Sequence, residues 1–361
     1  MCAKQRFLAI LVCGGVLASA CGGGGSGPPA ASATAAAASA APPAANETLD
    51  ADTIAKAKAE GTVVLYTSLA QDDAAYVVDK FSKSTANPGV KVTINRKSSE
   101  KLLQQFITEA KAGQVIADVL ETGGLDFAQA IKLGYITEFK PPAATTYPAE
   151  FKDAAGMWTA GRLGIETIGY NTTLVKAADA PKSFDDAIDP KWKGKLMVEA
   201  SDVEVMLALG ERKYKGDEAK VRDYFSKLVA NQPQPQNGHS EGADLLVAGQ
   251  RALFWGGHGH TLQQKKDAGA PVDYMKGEGV VTIDGITLAK GAPHANAAKV
   301  FINWYLSSEG QTAIADRFRV PARPGVKSPA QLPDTRYVSG PTLIDQFSRY
   351  QKLWAEVLGF K

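Results

Sequence analysis

The stretch at residues 158–199 constrains the fold of this chain more than any other. Between residues 163 and 170, apolar side chains alternate with Gly, Glu and Thr, which predicts a strand near the middle of the folded part. Ser183 and Asp186 have the spacing of a capping box, so a short helix is expected to follow, and residues 189–190 turn the chain into another strand at 195–199. A strand with this connection is expected to leave one lobe and begin a second.

Strands and helices alternate on both sides of this stretch. The pattern predicts strands at 62–67, 90–95 and 115–121 before it, with amphipathic helices between them. After it, the pattern predicts strands at 251–255 and 280–288 and an amphipathic helix pair at 339–360. Such alternation implies mainly parallel sheets flanked by helices, and therefore an α/β fold.

The first 46 residues differ from the rest in composition. Positive charge at residues 1–6, an apolar run at 7–17 and small residues before Cys21 predict a signal peptide over residues 1–20. Cys21 is the expected site of a lipid anchor, and simple secretion after Ala20 is the alternative. The Gly-, Pro- and Ala-rich sequence that follows cannot bury enough apolar surface to fold, so residues 21–59 are expected to form a flexible tether that begins at the anchor cysteine.

Cysteine content and charge exclude several classes of protein. All three cysteines lie within the first 21 residues, so no disulfide is expected in the body of the protein. The 40 Lys and Arg residues nearly balance 38 Asp and Glu residues, which excludes the strong positive field of a nucleic-acid-binding protein. A monomer that binds no nucleic acid is expected.

The central stretch resembles the crossover of the periplasmic solute-binding proteins of ABC importers, in the branch named for iron(III). The similarity rests on Gly169-Tyr-Asn-Thr172, Pro181-Lys-Ser-Phe-Asp-Asp186 and Asp189-Pro-Lys-Trp-Lys-Gly-Lys195, and on a second block at residues 280–299. It implies a two-lobed periplasmic-binding-protein fold of type II, in which each lobe is a mainly parallel sheet flanked by helices and crossover hinge strands join the lobes.

The same resemblance implies domain boundaries and a function. The first lobe would comprise residues 60–162 and 281–330, the second residues 163–280, and C-terminal helices would occupy residues 331–361. The implied function is capture of a small solute and its delivery to an ABC permease in the cytoplasmic membrane, with no enzymatic activity and no cofactor. The protein is expected to be an exported lipoprotein of the periplasm or cell surface.

Candidate ligand-binding residues follow from the predicted topology. In open α/β sheets ligands bind beyond the carboxyl ends of the strands, where helix N-termini present unpaired N–H groups. Arg162 precedes the crossover strand and is a candidate clamp on an anion, and Trp255 is expected either to floor the cleft or to fill the core. The candidates at predicted strand ends and helix starts are Ser68, Ser99, Thr122, Ser201, His239, Ser240, His258 and His260.

The histidines leave two kinds of ligand open. They can hydrogen-bond a phosphorylated, phosphonate or carboxylate solute, which is the function we expect from the sequence. Alternatively, His239, His258 and His260 bind a metal ion, ferric iron included, together with Glu199 or Glu121. Ferric-binding members of the family carry adjacent tyrosines, and this chain has none.

One motif suggests a different class of protein. Gly238-His-Ser-Glu-Gly242 fits the nucleophile elbow of a secreted serine hydrolase. The prolines at residues 233 and 235 make the preceding segment a poor core strand, so a hydrolase is a remote alternative.

Overall fold

The structure is a computed structural model that describes residues 47–359. The predicted signal peptide, Cys21 and the tether as far as residue 46 lie outside the described residues. The helices are α1 Ala51–Glu60, α2 Gln71–Lys83, α3 Ser99–Lys111, α4 Gly124–Lys132, α5 Val203–Ala208, α6 Glu218–Ala230, α7 His239–Val247, α8 Gly259–Asp267, α9 Ala295–Leu306, α10 Ser308–Ala315 and α11 Ile344–Leu358. The strands are β1 Thr62–Thr67, β2 Lys91–Arg96, β3 Val119–Gly123, β4 Ile136–Thr137, β5 Thr159–Asn171, β6 Leu196–Glu199, β7 Gln234–Gln236, β8 Leu253–His258, β9 Val272–Tyr274, β10 Glu278–Ala289, β11 Val320–Pro321 and β12 Thr335–Ser339.

A single sheet runs through this part of the chain, in the order β2-β1-β3-β10-β5-β8-β6-β7. The outer strands form two parallel sets, β2-β1-β3 and β8-β6-β7. Between them lie the two long strands β5 and β10, which are antiparallel to each other and to the parallel set on either side. Four of the parallel strands, β1, β3, β6 and β8, end at Thr67, Gly123, Glu199 and His258, respectively.

Two large hydrophobic cores flank the long strands. The first contains Phe81 and Phe301, whose rings meet edge to face at 5.2 Å, and the second is built around Trp255 and Phe225. Along β5 the chain leaves the first core after Ile165 and enters the second at Ile168. The fold therefore has two packing centres connected by the alternating strand that the sequence predicts. The lobe boundaries given above remain predictions.

The structure departs from the sequence-based expectations at both ends of the described chain. Residues 51–59, expected to belong to the tether, form most of α1, which packs against α9. Asp50 caps α1 by accepting a hydrogen bond from the Thr53 amide at 2.8 Å, and Ala57 is fully buried. At the other end, the helix pair expected over residues 339–360 is a 3-10 turn at Pro341–Leu343 followed by one α-helix, α11, and residues 335–339 pair with β10 as β12.

Among residues 47–359, none of the helices combines the length and the apolar character needed to span a bilayer.

Candidate functional site

The site is built on a cross-strand pair in the sheet. Glu166 of β5 and His258, the last residue of β8, are direct partners in the antiparallel register. Neighbouring side chains on one face of such a pair lie close together, and here Glu166 Oε1 is 3.2 Å from His258 Nε2. The backbone pairing therefore sets this contact before any ligand is present.

His239 joins the pair from the start of α7. Its ring stacks on the ring of His258, with centroids 3.6 Å apart and planes inclined by 19°. Its Nδ1 is 2.9 Å from the carbonyl oxygen of Gly256, so Nδ1 carries the proton and donates it to that carbonyl. The other ring nitrogen, Nε2, keeps its lone pair and lies 3.5 Å from Asp202 Oδ1.

Donor atoms of Glu166, His239 and His258 all lie within 4.8 Å of one another. We call these residues together with Asp202 the histidine–carboxylate cluster. Glu166 and Asp202 are 6% and 7% exposed, and Glu166 Oε2 and Asp202 Oδ2 are buried with no hydrogen-bond partner in residues 47–359. Buried carboxylate oxygens without a donor are unfavourable, because desolvation is not compensated. A bound cation or a proton would compensate them.

Burial also determines how the cluster titrates. It raises the pKa of Glu166 to about 7, and the charges of Asp284 and Glu199 add to this shift. It lowers the pKa of His258 to about 4, helped by the nearby guanidinium of Arg319. The imidazole of His258 is therefore neutral at pH 7, and Glu166 is the group of this pair that takes up a proton when no metal ion is bound.

Glu199 and Gly256 hold the surrounding loops in place. Glu199 is fully buried and accepts hydrogen bonds from the Gly238 amide at 2.9 Å and from the Ser201 hydroxyl at 2.8 Å. Gly256 has φ of 86°, and a Cβ there would lie 2.1 Å from Asp202 Oδ2. Glycine is thus required at this position so that the Asp202 carboxylate can approach the backbone of β8.

Comparison with known proteins identifies the family. Residues 76–336 match the family model described as bacterial extracellular solute-binding protein. This chain belongs to that family. As a solute-binding protein it is the substrate-binding component of an ABC importer, and its family is not enzymatic. The hydrolase alternative therefore has no support, and Ser240 of the elbow-like motif is exposed on α7.

The relatives of this solute-binding protein differ in what their names say they bind. Iron uptake protein A1 of Synechocystis sp. is 24% identical over 265 residues, which are 68% of this chain and 72% of the relative. The putative 2-aminoethylphosphonate-binding periplasmic protein of Salmonella typhi is 24% identical over 312 residues, 83% of this chain and 89% of the relative.

A solved structure establishes the fold. The Trichodesmium protein in complex with iron and citrate ligands matches with a TM-score of 0.71 and 19% identity, covering 83% of this chain and all of that chain. The fold is the mixed α/β periplasmic-binding-protein fold, as the sequence predicts.

The candidates in the predicted first lobe lie around a second group of charged residues. Arg162 donates to Glu121 at 3.0 Å, to Asp284 at 2.5 Å and to the Ser68 hydroxyl at 3.1 Å. Two carboxylates thus neutralise the arginine that the sequence suggests as an anion clamp. Thr122, next to Glu121, is fully buried, and its hydroxyl has no partner within the described chain.

His260 connects the histidines to Arg319. Its ring centroid is 5.1 Å from that of His258, and Arg319 Nη1 is 3.1 Å from His260 Nε2. Because a guanidinium only donates, Nε2 accepts and Nδ1 carries the proton. That Nδ1 is buried without a partner in residues 47–359. Asp73 in turn accepts from Arg319 at 2.9 Å, so Arg319 is paired as well.

Other candidates are not part of the cluster. Trp255 fills the core, one of the two roles expected for it: it is fully buried, and its Nε1 donates to the Tyr224 hydroxyl at 3.0 Å. Ser201 supports Glu199, as described above. Ser99 is half-buried as the first residue of α3. The fourth histidine, His294, precedes α9 and lies 3.0 Å from Asp118.

Sequence reasoning missed the two carboxylates of the cluster. It suggested Glu199 or Glu121 as metal partners, but Glu199 is engaged by the Gly238 loop and Glu121 by Arg162. The sequence does carry a signal for Glu166, since it is the only charged residue between positions 163 and 170 of the predicted central strand. The sequence carries no comparable signal for Asp202.

Proposed function

We propose that this solute-binding protein captures a transition-metal ion with Glu166, His239 and His258 and delivers it to an ABC permease. The observation that carries the proposal is the convergence of their donor atoms within 4.8 Å. Carboxylate oxygen and neutral imidazole nitrogen are ordinary ligands of first-row metals. Asp202, whose Oδ1 is 3.5 Å from His239 Nε2, is the fourth candidate ligand.

The support around His239 strengthens this proposal. A metal-binding histidine usually donates its second ring N–H to a carbonyl or carboxylate, which fixes the tautomer and the ring orientation. The bond from His239 Nδ1 to the Gly256 carbonyl has this form. The iron named for the Synechocystis relative agrees with a metal cargo.

An organic anion is the second candidate, favoured by the phosphonate in the name of the Salmonella relative. The charges at the site support it less well. Arg162 and Arg319 are each bound to carboxylates, and the cluster presents two further carboxylates whose buried oxygens would repel an anion.

Elemental analysis of protein purified without chelator tests the proposal. Wild type is expected to retain about one metal ion per chain, and the His239→Ala/His258→Ala double variant is expected to retain none. His294→Ala is the matched control, because this histidine contacts Asp118 outside the cluster. Metal-free wild type that carries an organic phosphonate or phosphate in native mass spectrometry would support the second candidate instead.

We also propose that the protein is exported and anchored through Cys21, and that the two predicted lobes close on the cargo. Cys21→Ala is expected to release the protein from the membrane fraction, and an unchanged distribution would argue against the anchor. Small-angle scattering is expected to show compaction when metal is added, and an unchanged radius at saturation would argue against closure.

A further inference from the structure

The histidine–carboxylate cluster has a donor set that distinguishes between metal ions. It offers two imidazole nitrogens and the carboxylates of Glu166 and Asp202. Within residues 47–359, which include every tyrosine of the chain, no tyrosine hydroxyl takes part in the hydrogen bonds or ion pairs of these residues. Ferric ion is hard and prefers anionic oxygen donors such as phenolate, whereas imidazole suits divalent metals of intermediate softness.

Formal charge leads to the same conclusion. Glu166 and Asp202 carry the buried oxygens that have no partner in the described part of the chain, and both are ionised when they bind a metal. Two negative charges balance a divalent ion. A trivalent ion would need a third anionic ligand, which these four residues do not supply.

We propose that the cluster selects a divalent first-row transition-metal ion, such as Fe²⁺ or Zn²⁺, over ferric ion. This inference rests on the proposed metal-binding function. Under this proposal ferric ion is not the preferred cargo of the protein. Glu166 and Asp202 neutralise the ion, and His239 and His258 supply the nitrogen ligands.

A competition experiment tests this selectivity. Chelator-stripped protein is titrated with Zn²⁺, with Fe²⁺ under anaerobic conditions, and with Fe³⁺, each supplied as its nitrilotriacetate complex so that every ion is exchanged from the same competing ligand. Zn²⁺ and Fe²⁺ are expected to transfer to one site per chain, each with an exchange constant at least about tenfold larger than that of Fe³⁺. A larger exchange constant for Fe³⁺ would overturn the divalent assignment and leave the metal-binding function standing. If none of the ions binds, the metal-binding function itself fails.

Exchanging one ligand provides a second test. His258→Tyr replaces an imidazole with a phenol at the half-buried end of β8 and is expected to shift the preference toward Fe³⁺ by at least about tenfold. A phenolate bound to Fe³⁺ also produces a visible charge-transfer band, which reports coordination directly. His294→Tyr is the control, and it is expected neither to shift the preference between divalent ions and Fe³⁺ nor to produce the charge-transfer band. A folded His258→Tyr protein with unchanged preference would contradict the assignment, and the wild-type competition decides the question if this variant does not fold.

Discussion

Glu166 and His258 face each other across the β5–β8 ladder, with Oε1 and Nε2 3.2 Å apart. The two residues are 92 positions apart in sequence numbering, from 166 to 258, yet the strand register alone brings them together. The same strand, β5, passes from one hydrophobic core to the other immediately beside Glu166. A ligand bound to Glu166 is therefore attached to the strand that links the two hydrophobic cores.

Glu166→Gln is expected to stabilise the metal-free protein at pH 8 while weakening metal binding. Burial raises the pKa of Glu166 to about 7. Stability is therefore full at low pH and is lost as the pH rises through 7, when the buried carboxylate ionises. A neutral amide avoids this loss, which amounts to roughly 1–3 kcal/mol in the free energy of unfolding. Denaturant unfolding of wild type and Glu166→Gln with chelator present, at pH 5 and pH 8, measures this difference in the free energy of unfolding.

Calorimetric titration of the same variant is expected to show metal affinity reduced roughly 10- to 100-fold, because an anionic ligand is lost. The control is Glu241→Gln, which alters an exposed carboxylate on α7. Neither its free energy of unfolding nor its metal affinity is expected to change. A Gln variant that is less stable at pH 8 or keeps full affinity would contradict the role of Glu166.

Metal affinity is expected to increase between pH 6 and pH 8. In this range a proton on Glu166 competes with the metal ion, whereas His258, whose pKa is lowered to about 4, does not. Burial also raises the pKa of Asp202, so binding at pH 6.5 should release at least one proton. Calorimetry in buffers with different ionisation enthalpies counts the protons released, and an affinity that is constant over this range would be inconsistent with a carboxylate ligand whose pKa is near 7.

Gly256→Ala is expected to abolish metal binding and to destabilise the protein more than Gly194→Ala. Both glycines have positive φ, 86° and 70°, which costs about 1–2 kcal/mol for a residue with a Cβ. Only at Gly256 would the Cβ collide with Asp202 Oδ2, at 2.1 Å, whereas nothing lies within 4 Å at Gly194. The extra loss of unfolding free energy in Gly256→Ala, compared with Gly194→Ala, measures the cost of the collision with Asp202. Equal losses in the two variants would contradict this collision.

Asp126→Asn is expected to stabilise the protein above pH 7 and to have little effect at pH 4. Burial raises the pKa of Asp126 to about 6, and the charge of Asp284 adds to the shift. The stability associated with its neutral form is lost as the pH rises through 6, at a cost of roughly 1–3 kcal/mol. Asp179→Asn, at an exposed position, is the control. Thermal unfolding at the two pH values would contradict this account if both variants behaved alike.

Much of the fold follows from local sequence patterns. The period-two alternation at residues 163–170 lies within β5, and the expected return strand at 280–288 lies within β10, because both strands carry the apolar residues that join the two cores. Local patterns do not predict the end of β8, where a glycine allows a side chain to approach the backbone closely. Gly256 and Gly257 suggest a turn before His258, but β8 continues through them with a bulge at Gly256, where the absence of a side chain leaves room for Asp202 Oδ2.

The candidate site could be predicted only in part. The sequence indicates the histidines because glycine and polar residues mark the starts of α7 and α8. It does not point to Glu166 and Asp202 as their neighbours, because the partner of each is set by sheet register and by packing between elements distant in sequence. The same holds for Arg162, which the sequence suggests as a clamp on an anion, because its two carboxylate partners lie on the distant strands β3 and β10.

X-ray absorption spectroscopy of the metal-loaded protein tests the central claim most directly, because it reports the ligands themselves. With Zn²⁺ bound, the account predicts nitrogen and oxygen neighbours at about 2.0–2.2 Å and the multiple scattering of two imidazole rings. Loss of one ring signal is expected in either His239→Ala or His258→Ala. A first shell of oxygen atoms without imidazole scattering in the wild-type protein would contradict the assignment of the metal to this cluster.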